Sequence, residues 1–308
     1  MASFHIARNQ SHTVWDHTIS PVLTVQPGTA VELEVTNASG GQFDQHASAE
    51  VLRGLDFGRV NPVTGPIFVR GAEPGDALVV EVLSVDVDSW AWTASIPGFG
   101  LLAEDYPDPH LRISTLSERV AELMPGLRVP VVPFIGTIGL ARAAVGQHPI
   151  IPPGPQGGNM DIRHITAGSR VWLPVAVPGA LLSLGDTHAA QGDGEVCGTA
   201  IETNALVRIR VHLEKQRNLA FPMVQTDPVS ARDGPAIATT GIGPDLMEAA
   251  KAATRGMVEV IVRRTGVQAV DAYLLASVAG DLKVSEIVDQ PNWVVSLHVQ
   301  CDLFEGWL

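Results

Sequence analysis

A mainly β chain with a smaller α+β C-terminal part is the fold class this sequence predicts. Three observations carry it. Most of residues 1–240 break into short runs in which apolar and polar residues alternate. Pro-Gly and Gly-Asp pairs punctuate those runs at short intervals, as a sandwich or barrel requires. After about residue 240 the apolar residues recur at helical spacing instead. The expected division is a mainly β catalytic region over 1–240, with an α+β region over 241–308 packed on it.

Residues 19–36, ISPVLTVQPGTAVELEVT, alternate around a Pro-Gly pair and predict two strands joined by a turn. PGD at 74–76 opens a second alternating run, ALVVEVLSVDVDSWAW. PGTAVELEV and PGDALVVEV echo one pattern, a turn and then a strand, which suggests an internal repeat. Residues 94–112 are rich in Gly and Pro and predict a long ordered loop. RVPVVPFIGTIGL, 128–140, mixes β-branched residues with Pro and Gly, which predicts edge strands and turns. AVGQHPIIPPGPQGGNM, 144–160, predicts a loop. SRVWLPVAVPGALLSLGD gives two strands about a Pro-Gly pair, and NALVRIRVHLEK one longer strand. GPDLMEAAKAATRGMVEVIVRRTG predicts a helix opened by Pro244 and Asp245 and closed by Gly266. VQAVDAYLLASVAG predicts a second helix and NWVVSLHVQCDLF a final strand.

Composition bounds the function. Apolar residues make up 45% of the 308 and charged residues 17%, so the chain can bury a sizeable core. Its 33 acidic and 20 basic residues give a net charge of −13, which repels phosphate backbones and argues against a nucleic-acid partner. The first residues lack the basic and apolar regions of a signal peptide. No run of eighteen apolar residues suggests a membrane span. Cys197 and Cys301 form no disulfide framework, and the expected location is the cytoplasm.

One segment concentrates chemistry. GDTHAAQGDGEVCGTAIE, 185–202, holds Asp186, His188, Gln191, Asp193, Glu195, Cys197 and Glu202. On a strand, residues two apart share a face, so Asp186 projects with His188, and Asp193 with Glu195 and Cys197. Carboxylates and a neutral imidazole are ligands for a divalent metal, which would acidify a water and polarise a carbonyl. Asp in Gly-Asp pairs also marks turns, where it bonds its own backbone. Burying this many charges demands compensation, which a metal or a substrate supplies. A second stretch, GPQGGNMDIRHI at 154–165, offers Asp161 as a further ligand and Arg163 as a carboxylate partner. Equally, it is a Gly-rich turn whose Asn and Asp cap backbone amides.

GGNMDIR followed by GDTHAAQGDGEVCGTAIE resembles the paired signature of the acetamidase/formamidase family. RVNPVTGPIFVRGAEPGDALVVEV, WTASIPGFGLLAEDY, IPPGPQGGNMDIRHITAGSRVWLPV and AYLLASVAGDLKVSEIVD resemble family segments in the same order, covering roughly residues 20–300. The resemblance implies a jelly-roll-like β-sandwich, hydrolysis of short linear amides of the formamide or acetamide type to carboxylate and ammonia, a homo-oligomer and a divalent metal. The positions that carry over are Asp161, Asp186, His188, Gln191, Asp193 and Glu195. On that basis Asp161, Asp186 and His188 are the expected metal ligands, with zinc as the metal and calcium or magnesium as alternatives. Glu195 is the expected base that activates water. Gln191, or backbone amides of the glycine turns, would hold the oxyanion, and Asp193 is a further catalytic candidate. FDQHASAE departs from the family pattern: Asp44 and His46 are either surface variation or an approach of His46 to the site.

Other chemistries have weaker support. Cys197 with His188 as base would give an acyl-enzyme route, but a free Cys is commonly a small buried apolar residue. Trp90, Trp92 and IPGFG suggest an apolar pocket or simply core. Asp281 suggests a cap for the next turn. GFG and GIG do not make a nucleotide fingerprint, and no Gly-x-Ser-x-Gly elbow is present. A non-catalytic metal- or carbohydrate-binding jelly roll is the alternative class, although aromatic residues are only 5%.

Overall fold

A computed structural model describes residues 4–117, 119–227 and 234–304. Two nine-stranded sheets form the framework. In the first the strand order is Phe4–Ile6, Ala30–Val35, Ala205–Glu214, Ala77–Val87, Arg170–Pro174, Met223–Gln225, Ala236–Gly243, Trp293–Gln300 and Gly280–Glu286. The second runs Gly157–Asn159, Phe134–Gly139, Leu182–His188, Glu202–Thr203, Trp90–Ser95 and His110–Thr115, with Val63–Val69 also paired to Leu182–His188. Leu33, Val80, Val207 and Ile209 of the first sheet share one core with Ile138 and Leu184 of the second, and all are fully buried. Each such side chain contributes about 1.5–3 kcal/mol on leaving water. An Ile209→Asp change would put an uncompensated charge in the middle of that core.

The alternating runs form strands, but their partners are not their sequence neighbours. Leu23–Val25 and Ala30–Val35 flank the expected Pro-Gly turn yet do not form a hairpin. Leu23–Val25 runs parallel to Val63–Val69, whereas Ala30–Val35 pairs with Ala205–Glu214. The turn carries the chain from one sheet to the other. The echoed segments do have a structural counterpart. Ala30–Val35 and Ala77–Val87 flank the same strand, with Ile209 opposite Val31 on one side and Val82 on the other.

The 128–140 stretch corrects an expectation. Phe134–Gly139 is not an edge strand: it lies between Gly157–Asn159 and Leu182–His188, and all six of its residues are buried. Pro133 precedes it, so the missing N–H interrupts no ladder. Gly136 is there for space, since a Cβ would sit 2.6 Å from Oδ1 of Asp161 and 2.8 Å from Cε1 of His188.

The C-terminal helices form as the spacing predicts. Leu246–Thr265 begins at Asp245, whose side chain accepts from the Glu248 N–H at 2.9 Å, and stops at Gly266 with φ 74°. That cap is worth about 1 kcal/mol. Ala249, Ala253, Met257 and Ile261 pack on Leu297 and Val299 of the sheet. A strand over Gly280–Glu286 follows the second helix, Ala269–Ala279, and Asp281 lies on this strand rather than capping a turn. No helix among the described residues is long and apolar enough to cross a membrane.

Candidate active site

The Leu182–His188 strand, inside the second sheet, supplies Asp186 and His188 to one face, as the alternation predicts. Nε2 of His188 lies 3.1 Å from Oδ1 of Asp186. Glu202 stands opposite His188 in the ladder, and its Oε2 is 3.1 Å from the same Nε2. Glu195 arrives from the intervening loop, its Oε1 4.0 Å from Nε2. Asp161 follows the Gly157–Asn159 strand with Oδ1 3.8 Å from Nδ1, and one ligand atom each from Asp161, Asp186 and His188 lies within 4.8 Å of the others. Phe134 packs edge-on against the imidazole at 4.9 Å.

Gln191 fixes which imidazole nitrogen carries the proton. Its Nε2 donates to the Asp161 carbonyl at 2.9 Å, so its Oε1 must face His188 Nδ1, at 3.0 Å. A carbonyl only accepts and an amide oxygen only accepts, so Nδ1 must be the donor. Nε2 is thereby aimed at two carboxylates. Lone pair against carboxylate is repulsive, so a positive charge must stand at that point: a proton in the metal-free chain, or a cation.

A second layer of acids lies behind. Glu286 accepts from the N–H groups of Val288 and Asp289. Asp289 accepts from the Asn159 amide, Asn159 accepts from Thr137, and Thr137 reaches Oδ2 of Asp186 at 3.2 Å. Asn61 donates to the same oxygen at 3.3 Å. Asp161, Asp186, Glu195, Glu202, Glu286 and Asp289 are all buried. His188 is the one basic side chain in ion-pair contact with them among the described residues. Both oxygens of Asp161 and Oε2 of Glu286 are buried without a hydrogen-bond partner. Orphaned buried acceptors of this kind call for a compensating ion.

The electrostatics follow from that crowding. Burial, with the Asp186 charge added, pushes Asp161 well above the usual carboxylate range. Burial and the Asp161 charge do the same for Glu195. Burial pushes Glu202 and Glu286 to about 7, and burial with Glu286 raises Asp289. Burial opposes ionisation of Asp186 too, but the His188 charge and hydrogen bonds outweigh it and hold its pKa down. Burial disfavours the His188 imidazolium, and the Glu202 and Asp186 carboxylates overcome that and hold its pKa well up.

Backbone strain collects at the same place. Asn61, Asp161, Asp186 and Glu195 have φ of 46°, 46°, 52° and 45°. Left-handed conformations cost non-glycine residues about 1–3 kcal/mol each and cluster where function holds them. The pocket that Asn61, Asp186 and Glu195 border has a volume of about 40 Å³. Asn61, Asp186, Glu195, Glu202 and Asp289 form its polar wall, and Trp92, Ile96 and Phe99 belong to its apolar wall. At about 10–15 Å³ per water-sized group, the space takes roughly three or four heavy atoms.

The structure thus brings together five sequence candidates, Asp161, Asp186, His188, Gln191 and Glu195. It does not bring in Asp193. Residues 189–201 are loop rather than strand, so the expected alternation fails, and the Asp193 carboxylate is taken by the Arg163 guanidinium at 2.9 Å on the partly exposed side. Gln191 joins the cluster with its Oε1 on Nδ1 of His188 and one N–H on the Asp161 carbonyl, which leaves its second N–H uncommitted. Cys197 is exposed rather than buried, and its thiol donates to the Thr199 carbonyl at 3.3 Å. His46 is exposed, its N–H bonded to Asp44. Trp92 and Phe99 do line the pocket. Glu202 was visible in the motif without a role. Asn61, Glu286 and Asp289 gave no local signal, because only strand pairing carries them there.

Comparison with known proteins identifies the family. The acetamidase/formamidase family model matches residues 2–145 and 141–306. A formamidase from Methylophilus methylotrophus is 29% identical over 96% of this chain and 90% of its own. An acetamidase from Mycolicibacterium smegmatis is 30% identical over 66% of each chain. The crystal structure of an acetamidase from Bacillus halodurans superposes with a TM-score of 0.91 at 34% identity, covering 99% of both chains. The chain belongs to the acetamidase/formamidase family, and with it to the hydrolases that act on the carbon–nitrogen bonds of linear amides.

Proposed function

We propose that this chain hydrolyses short primary amides of the formamide or acetamide type to carboxylate and ammonia, with a divalent cation, zinc by preference, held by His188, Asp186, Asp161 and Glu202. The observation that carries the cation is the orientation of His188. Gln191 places the ring proton on Nδ1, and Nε2 then faces the oxygens of Asp186 and Glu202, both at 3.1 Å. The unpartnered oxygens of Asp161 fit the same charge. A neutral imidazole whose far nitrogen is fixed by an acceptor is the usual metal-binding form, and an oxygen-rich set with one nitrogen suits zinc, with calcium or magnesium as competitors. When bound, such a cation supplies Lewis acidity, polarising a carbonyl and acidifying a water.

The chain's own residues do the rest. The pocket volume suits a carboxamide head of three or four heavy atoms. Glu195, whose pKa burial raises well above the usual carboxylate range, takes a proton from the attacking water. The water oxygen bonds to the carbonyl carbon, the carbon–nitrogen bond breaks, and Glu195 returns the proton to the departing nitrogen. Asn61 uses one amide N–H on Asp186 and has a second for the developing oxyanion. The test is ammonia release from formamide and acetamide, before and after chelation. Loss on chelation and recovery with zinc are expected, and full turnover by rigorously metal-free protein would end the cation's part.

The proposal extends to a homo-oligomer in the cytoplasm. Val270, Tyr273, Leu274 and Val278 make an exposed apolar stripe along the second helix, which supports a subunit contact. Light scattering on the purified protein tests it, and a strictly monomeric mass would refute it.

A further inference from the structure

The small polar pocket adjoins a larger space. Phe57, Phe99 and Ile151 line both, so the two adjoin. The outer vestibule has a volume of about 770 Å³, within the range of sites that take small organic molecules. Its walls are apolar, with Leu101, Pro291 and Trp293 beside the three shared residues. Gln290 is the one polar side chain among its described lining residues, and none of them is charged. That lack is informative in a chain with 53 acidic and basic residues, 33 plus 20. Leu101 is 52% exposed and Phe57 45%, apolar surface that an apolar ligand group would cover.

A primary amide has its oxygen and nitrogen at one end and its acyl substituent at the other. With the carboxamide head filling the inner pocket, the shared residues Phe57, Phe99 and Ile151 lead the substituent toward the vestibule. An N-substituent would have to share the inner space, which takes only three or four heavy atoms. We infer that the preferred substrates are primary amides carrying an apolar acyl chain or ring, which the vestibule of Phe57, Phe99, Leu101, Ile151, Pro291 and Trp293 binds while the acid cluster cleaves the head. This inference rests on the amide-hydrolase function proposed above.

The experiment compares kcat/KM for acetamide, propionamide, butyramide, hexanamide and benzamide on the metal-loaded protein, read as ammonia release. The expected result is a rise of about two- to fourfold per added methylene through hexanamide. Leu101→Asp, at an exposed vestibule position away from the inner pocket, is expected to flatten that rise relative to its own acetamide rate. A series that falls beyond acetamide, with acetamide itself turned over, overturns the inference and leaves amide hydrolysis standing. A falling series accompanied by a change of mass in Leu101→Asp overturns it in favour of a second copy of the chain seated on this face. No ammonia from any amide overturns the hydrolase proposal and this inference together.

Discussion

Gln191→Leu removes the one contact that decides the state of His188. Gln191 sits between the Nδ1–H of His188 and the carbonyl of Asp161, at 3.0 and 2.9 Å. Leucine has nearly the same volume but no acceptor, so the Nδ1–H is buried without a partner. That costs about 1–3 kcal/mol, and the loss lands on whichever state needs the proton at Nδ1. The metal-free chain can move the proton to Nε2, where Asp186 and Glu202 welcome it. The metal-bound chain cannot. The penalty therefore falls on metal binding, and outer contacts of this type are worth about tenfold to hundredfold in affinity. The assay is zinc competition against a chromogenic chelator, with a melting curve to confirm the fold. Gln191→Glu keeps an acceptor for Nδ1–H and loses only the donor to Asp161, so it should retain more of the affinity than leucine does. A zinc dissociation constant in folded Gln191→Leu within threefold of the parent would refute the reasoning.

The remaining predictions concern the acids and the loop. Glu195→Gln keeps the shape of the site but cannot take a proton, so kcat should fall about 10²–10⁴-fold with zinc affinity changed far less; unchanged kcat would remove it as base. Asp193→Ala and Cys197→Ala should each keep turnover within severalfold, since Asp193 serves an Arg163 pair worth about 0–1 kcal/mol and the Cys197 thiol hydrogen-bonds Thr199, outside the acid cluster. Loss of all activity in folded Cys197→Ala would favour an acyl-enzyme. For chelated protein, stability should fall as pH rises from about 4.5 to about 7. Glu202 and Glu286 titrate near 7 when folded and near 4.5 when unfolded, so the native state holds more protons across that window. Each group shifted by that much is worth on the order of 3 kcal/mol. The melting temperature of chelated protein is expected to be higher at pH 5 than at pH 8, with zinc restoring it at pH 8; a rise between those pH values without metal would contradict the assignment.

What could be seen in the sequence follows from what periodicity encodes. Alternation identified the strands, and it placed Asp186 and His188 on one face because both stay in the ladder with Phe134–Gly139, despite the left-handed φ at Asp186. It misplaced Asp193 because the chain leaves the ladder after His188 and the period of two no longer applies. Turn signals located the Pro-Gly corners, yet they could not say that Pro27-Gly28 passes between sheets instead of closing a hairpin. The helix Leu246–Thr265 was legible at both ends because its Asp cap and Gly stop are local chemistry. Glu286 and Asp289 lie far along the chain from His188, and nothing near them marks a site until the sheet is assembled. The left-handed φ at Asp161, Asp186 and Glu195 was equally hidden, since only glycine announces that conformation in a sequence. The family resemblance supplied the reaction class, which periodicity has no means of encoding.

The most direct test is anomalous scattering at the zinc edge from zinc-loaded crystals. The expected result is a peak at about 2.0–2.2 Å from Nε2 of His188, between the carboxylates of Asp186 and Glu202. A map with no peak at that position, and Nε2 bonded to those carboxylates through a proton alone, would contradict the cation at the centre of the site.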